Sequence, residues 1–246
     1  MFTDIVAHWC KMSGWSLDRP VAVWQAELDR RVIEARGDAR RVLADLQRDA
    51  IDPSQPDEDG TIAFLTGLTV WYWVEIQQFV VKENLFLALL HGFDHSLADA
   101  REVCAFSMCC LAFQHPEHAR RIGVPDAAIR RLKSSPAPGE RQALQEALRC
   151  SIHDLSGDES LRDWPEAFEL FLAEGLGVVE GMARSDAWSA LSEYSSIPQV
   201  RQRIRRSGVL ELATSIARDP ATSDYDRGRA VRLMRSYRIP LKPKGR

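Results

Sequence analysis

Apolar side chains recur three and four residues apart along most of this chain, which is the spacing of one face of an α-helix. One such stripe consists of Val21, Trp24, Leu28, Val32 and Ala35. No stretch alternates apolar and polar residues ahead of a hairpin turn, as strands of a hairpin do. The pattern therefore predicts an all-α fold, a single domain of about nine to twelve helices arranged as an irregular bundle or a stack of helix pairs.

Two long stretches are apolar on almost every side, and both predict helices at the centre of the domain. They run from Ile62 to Leu90 and from Leu97 to Phe113. A helix without a polar face is typical of a buried position. Charged and small polar residues interrupt both stretches before they reach the roughly 20 apolar residues that a membrane span needs. We therefore expect no contact with a membrane.

Charge is unevenly distributed along a chain whose net charge is −3. From Pro198 to the C-terminus there are 13 Lys and Arg against four Asp and Glu, while the preceding residues carry 19 against 31. We therefore predict an acidic helical body, residues 1–197, and a basic helical segment, residues 198–246, docked on the same domain. Separated charges of this kind steer the association of proteins.

The basic segment contains a short helix with four arginines, Arg201, Arg203, Arg205 and Arg206. Val200 and Ile204 are four residues apart and supply its inward face, so the guanidinium groups are expected on its flanks. Because guanidinium groups bind carboxylates in a bidentate geometry, we predict that these arginines bind an acidic protein partner. The sequence leaves open whether they bind the protein's own acidic body instead.

The cysteines and the start of the chain favour a cytoplasmic protein. The five cysteines are odd in number and include no pair spaced as CxxC, so we expect no disulfide framework. Cys150 lies beside Arg149, but its surroundings favour simple burial over a nucleophilic role. The first residues lack the basic and apolar regions of a signal peptide. The excess of arginine over lysine is typical of a GC-rich bacterial genome.

The stretch from Ala147 to Gly157 resembles the motif of the HD-superfamily metal-dependent phosphohydrolases. In that family an apolar helix ends in an adjacent His-Asp pair, which is His153-Asp154 here. The resemblance implies an all-α fold in which a divalent metal activates water against a phosphoester. It implies the metal ligands His95, His153, Asp154 and Asp186. Whether these residues and His91 come together in space is open.

The chain departs from the HD pattern at several positions. Arg149, Cys150 and Ser151 occupy places where the family has apolar residues. The glycine after the His-Asp pair comes one place late, and the acidic Asp158 follows it where a basic residue is common. A metal-dependent hydrolase is therefore the alternative interpretation.

The glycines at Gly175, Gly177 and Gly181 do not form a dinucleotide-binding motif. Their spacing is one residue too long, and the preceding residues predict a helix where that motif needs a strand. We interpret Gly177 and Gly181 as sites of close helix packing. No complete catalytic or cofactor motif occurs elsewhere, so we expect no cofactor.

These observations favour a cytoplasmic, non-catalytic protein-binding module, such as a toxin-neutralising (immunity-type) protein or an adaptor. The hydrolase is the alternative, and it alone would need a divalent metal. A nucleic-acid accessory protein that uses the basic segment is the third possibility. The acidic net charge argues against nucleic acid as a partner, as does the scarcity of aromatic residues in the segment.

Overall fold

The computed structural model describes residues 21–52, 54, 57, 61–72, 83–134, 136–177 and 182–239. These residues form fourteen α-helices and no strand. The predicted all-α fold is confirmed, and the number of helices exceeds the nine to twelve expected from the sequence. None of the described helices is both long and apolar enough to cross a bilayer. Packing divides the chain into two compact units, one up to Ile122 and the other from Gly123 onward.

The first unit contains six helices. In chain order they are α1 (Val21–Glu34), α2 (Ala39–Ala50), α3 (Thr61–Tyr72), α4 (Glu83–Gly92), α5 (Ala98–Gln114) and α6 (Pro116–Arg121). Asp38 caps α2, as its position before the apolar stripe indicates, because its side chain accepts hydrogen bonds from the backbone N–H groups of Arg40 and Arg41.

Helices α3 and α5 form the centre of the first unit, and they approach each other closely at Gly67. A Cβ atom at Gly67 would lie 3.0 Å from the backbone carbon of Val103. The hydroxyl of Ser107 donates a hydrogen bond to the Gly67 carbonyl across the same contact, at 2.5 Å. Residues 73–82 of the apolar stretch from Ile62 to Leu90 lie outside the described residues.

The second unit contains the remaining eight helices. They are α7 (Val124–Lys133), α8 (Pro138–Ile152), α9 (Gly157–Asp163), α10 (Pro165–Leu176), α11 (Met182–Glu193), α12 (Pro198–Ser207), α13 (Val209–Arg218) and α14 (Asp224–Ser236). A short 3-10 turn, Tyr194–Ser196, follows α11.

Three helix pairs stack in the second unit. Helix α7 packs on α8, α10 on α11, and α13 on α14. The second helices of the pairs, α8, α11 and α14, also pack side by side, and so do the first helices. This is the helix-pair stack that the sequence predicts as one of two arrangements. The short helices α9 and α12 lie between consecutive pairs along the chain.

A close helix contact in this stack lies at Gly175, and not at Gly177 as the glycine spacing suggests. A Cβ atom at Gly175 would lie 3.1 Å from Leu191 and 3.2 Å from Val209, so its absence lets α10 approach α11 and α13. The Gly175 carbonyl also accepts a hydrogen bond from the indole of the fully buried Trp188, at 3.0 Å. At Gly177 the nearest atom is a carbonyl oxygen of the preceding turn, and Gly181 lies outside the described residues.

The helices of the predicted basic segment pack inside the second unit. Ala230, Leu233 and Met234 of α14 are buried, and the hydroxyl of Tyr237 donates a hydrogen bond to the Leu191 carbonyl of α11 at 2.9 Å. The division into compact units therefore falls at residues 122 and 123. The predicted boundary at residues 197 and 198 follows charge, and it stays a prediction.

Candidate functional site

His95, the first histidine of the HD-like set, uses both ring nitrogens for contacts within the first unit. Its Nδ1 accepts a hydrogen bond from the backbone N–H of Leu97 at 3.1 Å. The proton must then lie on Nε2, which donates to the Asp57 carbonyl at 2.6 Å. A metal ion could bind this imidazole only if one of these hydrogen bonds broke.

The other three members of the HD-like set belong to the second unit. His153 follows the end of α8, and its Nδ1 lies 2.7 Å from the Cys150 carbonyl. Asp154 is exposed in the turn after it, whereas Asp186 is buried on α11. The structure therefore places the His-Asp pair at a helix end and Asp186 in the packed interior. The metal site that the resemblance implies stays a prediction.

Asp186 lies in a network of polar side chains between α11 and α14. The hydroxyl of Tyr225 donates a hydrogen bond to its carboxylate at 2.7 Å, and a guanidinium nitrogen of Arg229 lies 4.0 Å away. Arg229 also donates to the hydroxyl of Ser189 at 2.6 Å. One turn earlier on α11, Ser185 donates to Asp226. Later residues of α11 contact later residues of α14, so the two helices run in the same direction.

Burial dominates the electrostatics of Asp186 and raises its pKa to about 6. The negative charge of Glu146 on α8 acts in the same direction. The hydrogen bond from Tyr225 and the positive charges of Arg229 and Arg149 lower the pKa and compensate in part. The carboxylate of α11 is thus held by Tyr225 and Arg229 of α14, and the charges of α8 also act on it.

Glu193, two turns after Asp186 on α11, is a second carboxylate whose pKa is raised, again mainly by burial. The positive charges of Arg149 and Arg232 lower its pKa and so favour the ionised form. Both carboxylates of α11 therefore lie near basic groups of α8 and α14.

The four arginines predicted to bind a partner differ in the contacts that they make within the protein. Arg201 donates twice to the Ser195 carbonyl, at 3.0 and 2.7 Å, and so fixes the start of α12 on the 3-10 turn. Arg203 makes a bidentate ion pair with Glu169 of α10, and its guanidinium carbon lies 5.3 Å from the centre of the Phe168 ring. These two arginines bind the protein's own groups, which is the alternative that the sequence leaves open.

Arg205 and Arg206 form no ion pair within the part of the chain that the structure describes. Both side chains are exposed, and Arg205 donates a long hydrogen bond of 3.4 Å to the Tyr237 carbonyl. That contact brings the end of α12 to the end of α14. Arg235 and Arg238 lie there, are also exposed, and form no ion pair with the described residues.

A groove of about 450 Å³ lies beside Arg205. Its lining consists of Arg205 from α12, Leu210, Glu211 and Thr214 from α13, and Ile239 after α14. No sequence pattern marks the residues from α13 or Ile239, because the groove exists only where three separate elements meet. Arg235 and Arg238 could have been found from their positions, since both flank the apolar stripe of α14. We call Arg205, Arg206, Arg235 and Arg238 with this groove the basic groove site.

Compared with models of known protein families and with curated proteins, the chain matches none.

Proposed function

We propose that this chain is a non-catalytic binding protein whose basic groove site recognises an acidic segment of another protein. The observation that carries the proposal is the set of four exposed arginines without carboxylates to bind among the described residues. The whole chain has more acidic than basic residues. Cations that remain unpaired in such a chain are available to an external anion.

The energetics of exposed charges support a binding role over a folding role. An exposed ion pair contributes only about 0–1 kcal/mol to folding. An arginine at an interface does more, since its planar guanidinium group binds a carboxylate through two hydrogen bonds and its charge speeds association. The architecture supports the proposal too, because stacked helix pairs present extended surfaces that are typical of binding proteins.

A cytoplasmic toxin-neutralising protein or a cytoplasmic adaptor fits this chemistry. Both act by binding another protein and need no catalytic group. The four described cysteines form no disulfide, which supports a reducing compartment.

The test is fluorescence anisotropy with a labelled peptide of alternating glutamate and serine, measured at low ionic strength. We expect Arg206→Glu with Arg238→Glu to weaken binding by on the order of tenfold, because both changes reverse charge at the site. The matched control is Arg36→Glu with Arg41→Glu, which makes the same charge change at exposed positions of the first unit. This control should bind like the unmodified protein.

Two outcomes would overturn the proposal. The first is equal loss of affinity in both double variants, which would indicate attraction to overall charge and not to a site. The second is tighter binding of oligothymidylate of the same net charge, which would favour the nucleic-acid interpretation. Added salt should weaken the specific binding, because it screens exposed charges.

A further inference from the structure

We propose that the groove beside Arg205 holds one apolar side chain of the acidic segment, so that the ligand pattern is an aliphatic residue flanked by acidic residues. This inference rests on the proposed function and names the ligand of the same site. It concerns the groove lining and not the arginines, so the two can be tested separately.

The lining offers apolar surface at three of its five residues. Leu210 and Ile239 contribute aliphatic side chains. Thr214 already donates its hydroxyl to the Leu210 carbonyl at 2.7 Å, so its methyl group is what remains for a ligand. An apolar side chain placed there would leave water for a largely apolar surface, which is favourable in proportion to the area buried.

The size of the groove fits a side chain together with a short length of backbone. Its volume of about 450 Å³ falls within the roughly 300–1,000 Å³ that is typical of pockets for compact ligands. None of the described residues that line it is aromatic. Because single-stranded nucleic acids are bound by stacking their bases on aromatic side chains, the lining favours a peptide.

The charges around the groove determine where acidic residues of the peptide can lie. Arg205 forms part of the wall, Arg206 follows it in the chain, and Arg238 precedes the lining residue Ile239. Glu211 also lines the groove, so it would repel a carboxylate placed inside. The acidic residues must therefore flank the apolar side chain, where they reach the arginines, and a backbone N–H of the peptide can donate to Glu211.

The experiment compares two labelled glutamate-rich peptides of equal charge, one with a central leucine and one with serine in its place. We expect the full-length protein to bind the leucine peptide roughly tenfold more tightly, as expected when a leucine side chain is buried in part. The variant Thr214→Gln places a longer neutral side chain in the groove and should abolish this preference. The affinity for the serine peptide is measured beside it, so that loss of the preference is distinguished from loss of binding.

A second variant, Ile239→Ser, removes apolar lining near the chain end and should also reduce the preference, so the test does not depend on one substitution. Circular dichroism melting checks that each variant is folded. Equal binding of both peptides by the unmodified protein would overturn the groove inference but leave the proposed function standing. Binding of neither peptide would overturn both.

The chain's own residues 240–246, which follow Ile239, are the competing occupant of the groove. If only a variant that lacks them prefers the leucine peptide, the groove belongs to that segment and the inference is overturned. If Arg206→Glu with Arg238→Glu weakens both peptides equally while the preference persists, charge and groove act separately, as proposed.

Discussion

Asp186 is a buried carboxylate. It accepts a hydrogen bond from Tyr225, and the guanidinium group of Arg229 lies 4.0 Å away. Its pKa is raised from 3.8 to about 6, mainly by burial. The folded protein therefore holds the proton more tightly than the unfolded chain does. Linkage requires that this residue's contribution to stability falls as the pH rises from about 4 to about 6.

The variant Asp186→Asn should remove this pH dependence. We expect its free energy of unfolding, relative to the unmodified protein, to increase by on the order of 1–2 kcal/mol between pH 4 and pH 7. Urea unfolding at several pH values measures the difference, and Asp158→Asn, at an exposed position, is the control. A difference that stays constant with pH would show that burial does not perturb Asp186.

Arg203 and Arg206 provide a second comparison at the scale of single residues. Arg203→Glu breaks the ion pair with Glu169, opposes two carboxylates and removes the contact with Phe168. Because the pair is about half exposed, we expect a loss of about 1 kcal/mol or less, seen as a small drop in melting temperature. Arg206→Glu should leave the melting temperature unchanged.

Exchange of the charges tests the cause of this loss. Arg203→Glu combined with Glu169→Arg should restore most of the stability, since the ion pair re-forms with opposite polarity. If the combined variant melts as low as Arg203→Glu alone, the ion pair with Glu169 does not account for the loss.

The sequence predicts the exposed positions of Arg203, Arg205 and Arg206 from the helical spacing of Val200 and Ile204, which are buried. It could not identify the groups that the arginines contact. Glu169 lies 34 residues before Arg203, and only the packing of α10 near α12 brings the two together. For the same reason the resemblance singled out Asp186 without indicating that Tyr225 and Arg229 hold it.

At the scale of helices, substitution by alanine is expected to have opposite effects on stability at Gly175 and Gly228. Gly175→Ala adds a methyl group 3.1 to 3.3 Å from Leu191, Val209 and Trp188. We expect a loss of about 1–3 kcal/mol, because overpacking forces α10 away from α11 and α13. Chemical denaturation measures this change.

Gly228→Ala is the matched control, since Gly228 lies within α14 and its added Cβ would meet nothing within 4 Å. Alanine loses less backbone freedom on folding than glycine, so this change should stabilise the protein by roughly 0.5–1 kcal/mol. A similar loss in both variants would mean that helix propensity and close packing are not the governing effects.

Helix ends can be predicted where the local chemistry is strong, as at Pro165, which begins α10 in the first-turn position that proline favours. They are missed where they depend on a cap. The apolar spacing alone predicts a helix from Glu140 to Leu155, whereas α8 runs from Pro138 to Ile152. Ser156 and Glu159 form a capping box that begins α9, and this short-range signal could have been read from the sequence.

For the whole molecule, the sequence predicts helix throughout but not the order in which helices pair. Apolar stripes predict that one face of α8, α11 and α14 is buried, but they do not identify the helices that pack on that face. A short helix follows each of the first two pairs, α9 after α8 and α12 after α11. The groove likewise cannot be predicted from the sequence, because α12, α13 and the residue after α14 form it together.

The all-helical architecture makes a simple spectroscopic prediction. The far-ultraviolet circular dichroism spectrum of the full-length protein should be dominated by helix, in agreement with fourteen described helices and no described strand. A spectrum that requires a strand content near the 20–25% of average soluble proteins would contradict the fold.

The position of a helix pair in the stack of the second unit should also determine how readily that pair opens. Within that unit the last pair, α13 and α14, packs against a neighbouring pair on one side only. In a stacked array such a terminal pair opens with less free energy than the pair beside it. Amide hydrogens of α13 should therefore exchange with deuterium sooner than those of α11. A ligand bound to the basic groove site would slow this exchange, so occupancy could be followed by mass spectrometry without labelling either molecule.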